Sequence, residues 1–150
     1  MNRTRFAIIV LLLAAFAGSL SPGASEARRG SNGGSQLQLT PDAVVPSQGE
    51  FGASAQATVT TSRSEVCFQV TIGSLSGYIT TIGIHEGAMG ANGPMVVRLS
   101  PSPIGINQLM GCVPVDTALA RDISRNPTHY YIQIRTTVYP DGAVRAQLER

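Results

Sequence analysis

Residues 82–99 read IGIHEGAMGANGPMVVRL, two strand-like pieces around a loop with Gly87, Gly90 and Gly93. Ile82 and Ile84 alternate with Gly83 and His85, which sends the isoleucines to one face of a strand and Gly83 and His85 to the other. On that alternation His85 is expected outside the core. Downstream, Pro94 opens Met95-Val96-Val97-Arg98-Leu99, because the first residue of a strand need not donate to the ladder. The glycine spacing is not a nucleotide signature: phosphate-cradling loops need a lysine or a closer glycine pair and open a helix, whereas a strand follows here. The expectation is a wide connection whose glycines adopt positive φ.

Working outward, the run from Ile84 to Leu99 is similar to the central motif of the CHRD (chordin-type) domain family, which usually has His-x-His where this chain has Gly83-Ile84-His85. Val66-Cys67-Phe68 resembles the family's early cysteine strand and Gly111-Cys112-Val113 its partner. Asn126-Pro127 followed by Tyr130-Tyr131-Ile132-Gln133-Ile134, and Gly142-Ala143-Val144-Arg145-Ala146-Gln147-Leu148, resemble its closing segments; Asp42 to Pro46 matches another more loosely. The resemblance implies a Cys67 to Cys112 disulfide and an extracellular binding module. The chordin-type domains of animals belong to a growth-factor-binding protein, and a solitary domain behind a leader is similar to the bacterial members.

The chain of 150 residues, 13% charged with a formal charge of +2, fits one globular domain plus a leader. Arg3 and Arg5, an apolar run from Ala7 to Ala17 and a small-residue region read as a secretory signal over residues 1–27, with Ala24 and Ala27 both suited to cleavage. The apolar run is too short to span a bilayer. Loss of the leader lowers the charge to about +1, which argues against nucleic-acid binding. Two cysteines in an exported chain pair, in keeping with a secreted or periplasmic location. Residues 28–35, rich in Gly, Ser and Arg, are expected as a disordered linker, and residues 36–150 as the domain.

Within that domain Gln36 to Leu39 alternates as a first strand. Phe51 to Thr60 and Glu65 to Ile72 read as a hairpin, with Val66, Phe68, Val70 and Ile72 on one face and Cys67 on the other. On this geometry the segment bearing Cys112 has to cross the second face to reach Cys67. Pro101 and Pro103 interrupt the pattern. Asp116 caps a helix with Leu119 and Ile123 four apart, closed at Asn126-Pro127. In the last hairpin Tyr130, Ile132 and Ile134 share a face, as do Val144, Ala146 and Leu148. A three-residue loop, Pro140-Asp141-Gly142, keeps those faces together and pairs Ile134 with Leu148, Val138 with Val144, Gln133 with Glu149 and Arg135 with Gln147. The sum is an all-β, antiparallel Greek-key β-sandwich, immunoglobulin-like or superoxide-dismutase-like, with one short helix.

Candidates for chemistry are few. Two histidines at i and i+2 of a strand project about 7 Å apart and could share a metal, but Gly83 and Arg135 stand where relatives carry the other histidines. His85 alone is not a metal site, and no cofactor is expected. No nucleophile elbow accompanies the serines, so no catalytic residue is assigned. Arg135 and Arg145, with His85, are the candidate contacts for an anionic ligand or a protein partner outside the cell, but for the arginines pairing with Glu65, Glu86 or Glu149 on the same sheet is the favoured reading. Tyr130, Tyr131 and Tyr139 read as sheet packing. Gly87, Gly90, Gly93, Pro94 and Gly142 are assigned structural roles. The functional expectation is a non-catalytic binding module whose ligand the sequence does not name. The competing reading is a metal-binding redox protein resembling copper-zinc superoxide dismutase.

Overall fold

A computed structural model describes residues 34–100 and 106–150. The expected signal peptide, all of the expected linker but Gly34 and Ser35, and Pro101 and Pro103 lie outside those residues. In chain order the described residues form β1 (Gln36–Leu39), β2 (Ser54–Thr61), β3 (Glu65–Ser74), β4 (Ile79–Glu86), β5 (Met95–Arg98), β6 (Gln108–Pro114), helix α1 (Thr117–Arg125), β7 (Tyr130–Thr136) and β8 (Val144–Gln147). Two four-stranded sheets result, ordered β1-β2-β3-β6 and β5-β4-β7-β8, and each neighbouring pair is antiparallel. After β3 the chain crosses to lay down β4 and β5, then returns with β6 beside β3. The expected sandwich and its single α-helix are present.

Alternation explains the core. Leu37 and Leu39 of β1, Val66 and Val70 of β3, Ile82 and Ile84 of β4, and Ile132 and Ile134 of β7 are all buried between the sheets, because every second side chain of a strand points the same way. One side of the sandwich is closed by a bridge between sheets: the Thr40 amide donates to the Arg145 carbonyl and the Arg145 amide to the Thr40 carbonyl, each at 3.0 Å. Helix α1 starts where the Asp116 carboxylate accepts from the Ala118 amide at 2.7 Å, buries Ala120 and Ile123, and ends before Pro127, whose ring disfavours helix in the preceding residue. The Tyr130 hydroxyl donates to the Asp122 carboxylate and ties the helix to β7. Burial and that bond together raise the Tyr130 pKa.

Two expectations need correction. Cys112 does not cross the outer face of β3: it lies directly opposite Cys67 as the paired residue of β6, and the disulfide joins neighbouring strands. The outward direction of Cys67 is as expected; its partner arrives by strand pairing, with no covering segment. The final hairpin has a different register. Ile134 pairs with Val144 and Gln133 with Arg145, so the connection is longer than three residues. β7 stops at Thr136 because the Thr137 amide turns to the Tyr78 carbonyl at 2.9 Å, while Ala143 closes back on the Ile134 carbonyl at 2.8 Å. The face parity survives, since alternation fixes which residues share a face and leaves any even slip free, here one of four residues. Gly142, at φ +142°, occupies a place where a Cβ would run into the Gln133 amide.

Candidate functional site

The outer face of the second sheet carries the residues singled out by the sequence. Register places His85 of β4 beside Tyr131 of β7 and Gln147 of β8, and one row along Gly83 beside Gln133 and Arg145. Arg135 is two residues on from Gln133, diagonal to Arg145 on the same face. This face is not open to solvent. Residues 87–94 fold over it, and His85 is only 2% exposed and Arg145 1%. The expectation that His85 lies outside the core is thus corrected: alternation put it on the outer face correctly, but a loop covers that face.

What holds the loop is a set of side chains from three strands. Arg145 donates through Nη2 to the carbonyls of Ala88 at 3.1 Å and Ala91 at 2.9 Å, and through Nη1 to Asn92 Oδ1 at 3.4 Å. Its guanidinium carbon sits 3.4 Å from the centroid of the Tyr131 ring, a cation–π geometry. The Tyr131 hydroxyl bonds both the amide and the carbonyl of Gly93, and the Gln147 amide nitrogen lies 2.8 Å from the carbonyls of Gly87, Thr128 and Tyr130. His85 stacks on Tyr131 at 5.0 Å between centroids, 12° from parallel. Main-chain bonds from Glu86 to Pro94 and from Gly87 to His129 close the base. Arg145 therefore spends its donors on loop carbonyls, and the expected carboxylate partner has no place there.

The three glycines serve different ends. Only Gly90 has positive φ, at +77°. A Cβ on Gly93 would overlap the Glu86 carbonyl, and one on Gly87 would come within about 3.0 Å of the Tyr131 ring and 3.1 Å of the Ala91 carbonyl. Close approach, not positive φ, requires glycine at 87 and 93. Pro94 supplies the carbonyl that receives the Glu86 amide.

The electrostatics fix the state of His85. Its Nδ1 lies 3.1 Å from the Gly93 carbonyl oxygen, which can only accept, so Nδ1 carries the hydrogen. Nε2 is then a lone pair, buried and without a protein partner. Burial is the main cause lowering the His85 pKa; the Gly93 carbonyl opposes it, and Arg135 and Arg145 add to it. A neutral imidazole with a free nitrogen is a possible ligand atom, but the residues around it do not fit a metal. Gly83 offers no donor, Arg135 and Arg145 bring positive charge, and Glu86 is exposed, on the opposite parity. Among the described residues the cluster with metal-ligand types in reach is Glu65 with Cys67 and Cys112, whose sulfurs are joined.

Sequence reasoning missed Tyr131 as the centre of this stack and Gln147 as a loop tether. Tyr131 shares outward parity with His85, so the signal was present, but without the β4–β7 register nothing placed the two side by side. A family model for the CHRD domain matches residues 35–148. No significant match was found among curated proteins or among solved structures.

Proposed function

From the premise that the chain belongs to the CHRD domain family, we propose that it is an exported, non-catalytic binding module whose contact element is the loop from Ala88 to Pro94. One observation carries this reading: the groups capable of chemistry, His85, Tyr131 and Arg145, are buried beneath that loop, and Tyr131, Arg145 and the Nδ1 of His85 hold its backbone. Ala88, Met89, Ala91, Asn92 and Pro94 are left exposed on a backbone held in one shape, and a preordered loop loses less entropy on binding. His85 and Arg145 act from below, as supports and not as contacts. Arg135 remains half-buried at the margin of the face. The disulfide suits an oxidising compartment outside the cytoplasm.

The test uses the oxidised protein as bait against the surface and culture fractions of its host. Met89→Asp, at a position 83% exposed, is expected to weaken capture of a specific partner by about tenfold or more, while Gln69→Glu, exposed on β3, leaves it unchanged. Capture insensitive to Met89→Asp and Asn92→Ala would remove the loop as the contact. The same preparation, made without chelator or tag histidines, is expected to carry no stoichiometric copper or zinc. Bound metal lost on His85→Ala would turn the reading toward the redox alternative.

A further inference from the structure

The pole of the sandwich opposite the glycine loop carries apolar side chains that the fold does not use. Phe51 is 99% exposed, Tyr78 66% and Val138 56%, each at the tip of a different connection. Those connections are knitted together. The buried Glu50 carboxylate accepts from the Ser76 amide at 2.7 Å, the Glu50 amide donates to Ala143 and the Thr137 amide to Tyr78, and a Cβ on Gly77 would touch Val138. Scattered exposed apolar residues mean little, but three brought to one pole by a hydrogen-bonded set of loops form a patch. The exposed Asp42 and Asp141 lie on connections of this pole, whose loops contain no arginine, and Arg135, half-buried on β7 beside Thr81, is the cation nearest to it.

The other pole is complementary. A groove of about 660 Å³ there has Leu37, Val59, Ile123 and Leu148 in its walls and Glu149 and Arg150 at its end. It continues, through Thr61, Ser62 and Ser124, into a hollow of about 390 Å³ lined by Arg63, Arg121 and Arg125 and by no carboxylate. An apolar floor bordered by Arg63, Arg121, Arg125 and Arg150, against the single carboxylate of Glu149, suits an aromatic tip flanked by aspartates. We propose that the Phe51–Tyr78 tip of one molecule docks in the arginine-rimmed groove of a second copy, so that the protein associates head to tail. The two surfaces differ and lie at opposite ends, so the contact is heterologous: each added molecule leaves one tip and one groove free, and growth runs past the dimer, as an open chain unless the rotation closes a ring. The glycine loop takes no part.

Sedimentation velocity of the oxidised protein across a concentration series tests this. Association beyond a dimer, weakened by salt, is expected. Phe51→Glu alters a fully exposed side chain and should weaken association about thirtyfold or more, as loss of an aromatic anchor does; Arg121→Glu with Arg125→Glu should do the same from the groove side. An equimolar mixture of the two variants, each retaining one good surface, should recover a heterodimer that grows no further. The proposal is overturned by a protein that stays monomeric, by association that neither variant disturbs, or by variants that fail to complement. Cosedimentation with zwitterionic vesicles that requires Phe51, by an otherwise monomeric protein, would assign the tip to a membrane and overturn it equally.

Discussion

Gly93 and Gly90, three residues apart in one loop, make unequal demands. A methyl at 93 has nowhere to go but into the Glu86 carbonyl, whereas at 90 it meets open space and only the positive φ resists it. Gly93→Ala is therefore expected to cost at least about 3 kcal/mol and Gly90→Ala about 1 kcal/mol, read from urea midpoints at constant m. His85 gives a pH dependence with a definite sign. Its folded pKa lies below the ordinary 6.5, with burial as the main cause, so the unfolded chain takes up the proton first. The stability from neutral His85 is fully present above pH 6.5 and is lost as pH falls below it toward the depressed folded value, by at most about 1.4 kcal/mol per pH unit. Asp122 is held below 3.8 first by its bond from Tyr130 and then by that from Asn126, so its own contribution is lost at lower pH. Urea titrations between pH 7.5 and 5 should show this slope in the wild type and a flatter one in His85→Phe, which keeps an aromatic ring beside Tyr131. The sequence disclosed that His85 faces outward. It did not disclose that outward means buried, because no local pattern announces a loop folding back over a sheet.

At the level of elements, the glycine loop owes its shape to β7 and β8 more than to its own residues. Arg145→Met removes the donors to three loop oxygens and the cation over Tyr131. The expected cost is about 2–4 kcal/mol, accompanied by new elastase cleavage between Ala88 and Pro94 in the native protein. Arg145→Lys should not restore protection, since one ammonium cannot reproduce a planar fork spanning separate acceptors. Elements with a strong period or cap were legible: β1 was read at Gln36–Leu39, and α1 with Asp116 before it and Pro127 after it. The register of the β7–β8 hairpin was not, because Pro140-Asp141-Gly142 looks like a compact turn, while the Thr137 amide is drawn to Tyr78, 59 residues upstream in the sequence and adjacent in the fold. Distant partners of this kind leave no local trace.

For the whole molecule, the sandwich was readable from its alternating strands, and the pairing of Cys67 with Cys112 from the resemblance. The span between them is 45 residues, and a chain-entropy estimate assigns the bond about 4 kcal/mol. The double variant Cys67→Ala/Cys112→Ala is expected to lose that amount in urea denaturation while keeping the same far-ultraviolet circular dichroism, since β3 and β6 still pair along seven positions. Arg145 belongs to this scale as well. Its main chain fastens the first sheet to the second at Thr40, and its side chain fastens the loop. A molecule that lets the loop go strains the seam between its sheets, and one whose sheets part loses the anchor of the loop. Exposure of the loop backbone and disassembly of the sandwich thus become a single cooperative event, so the surface this protein offers to others persists for as long as the protein itself is folded.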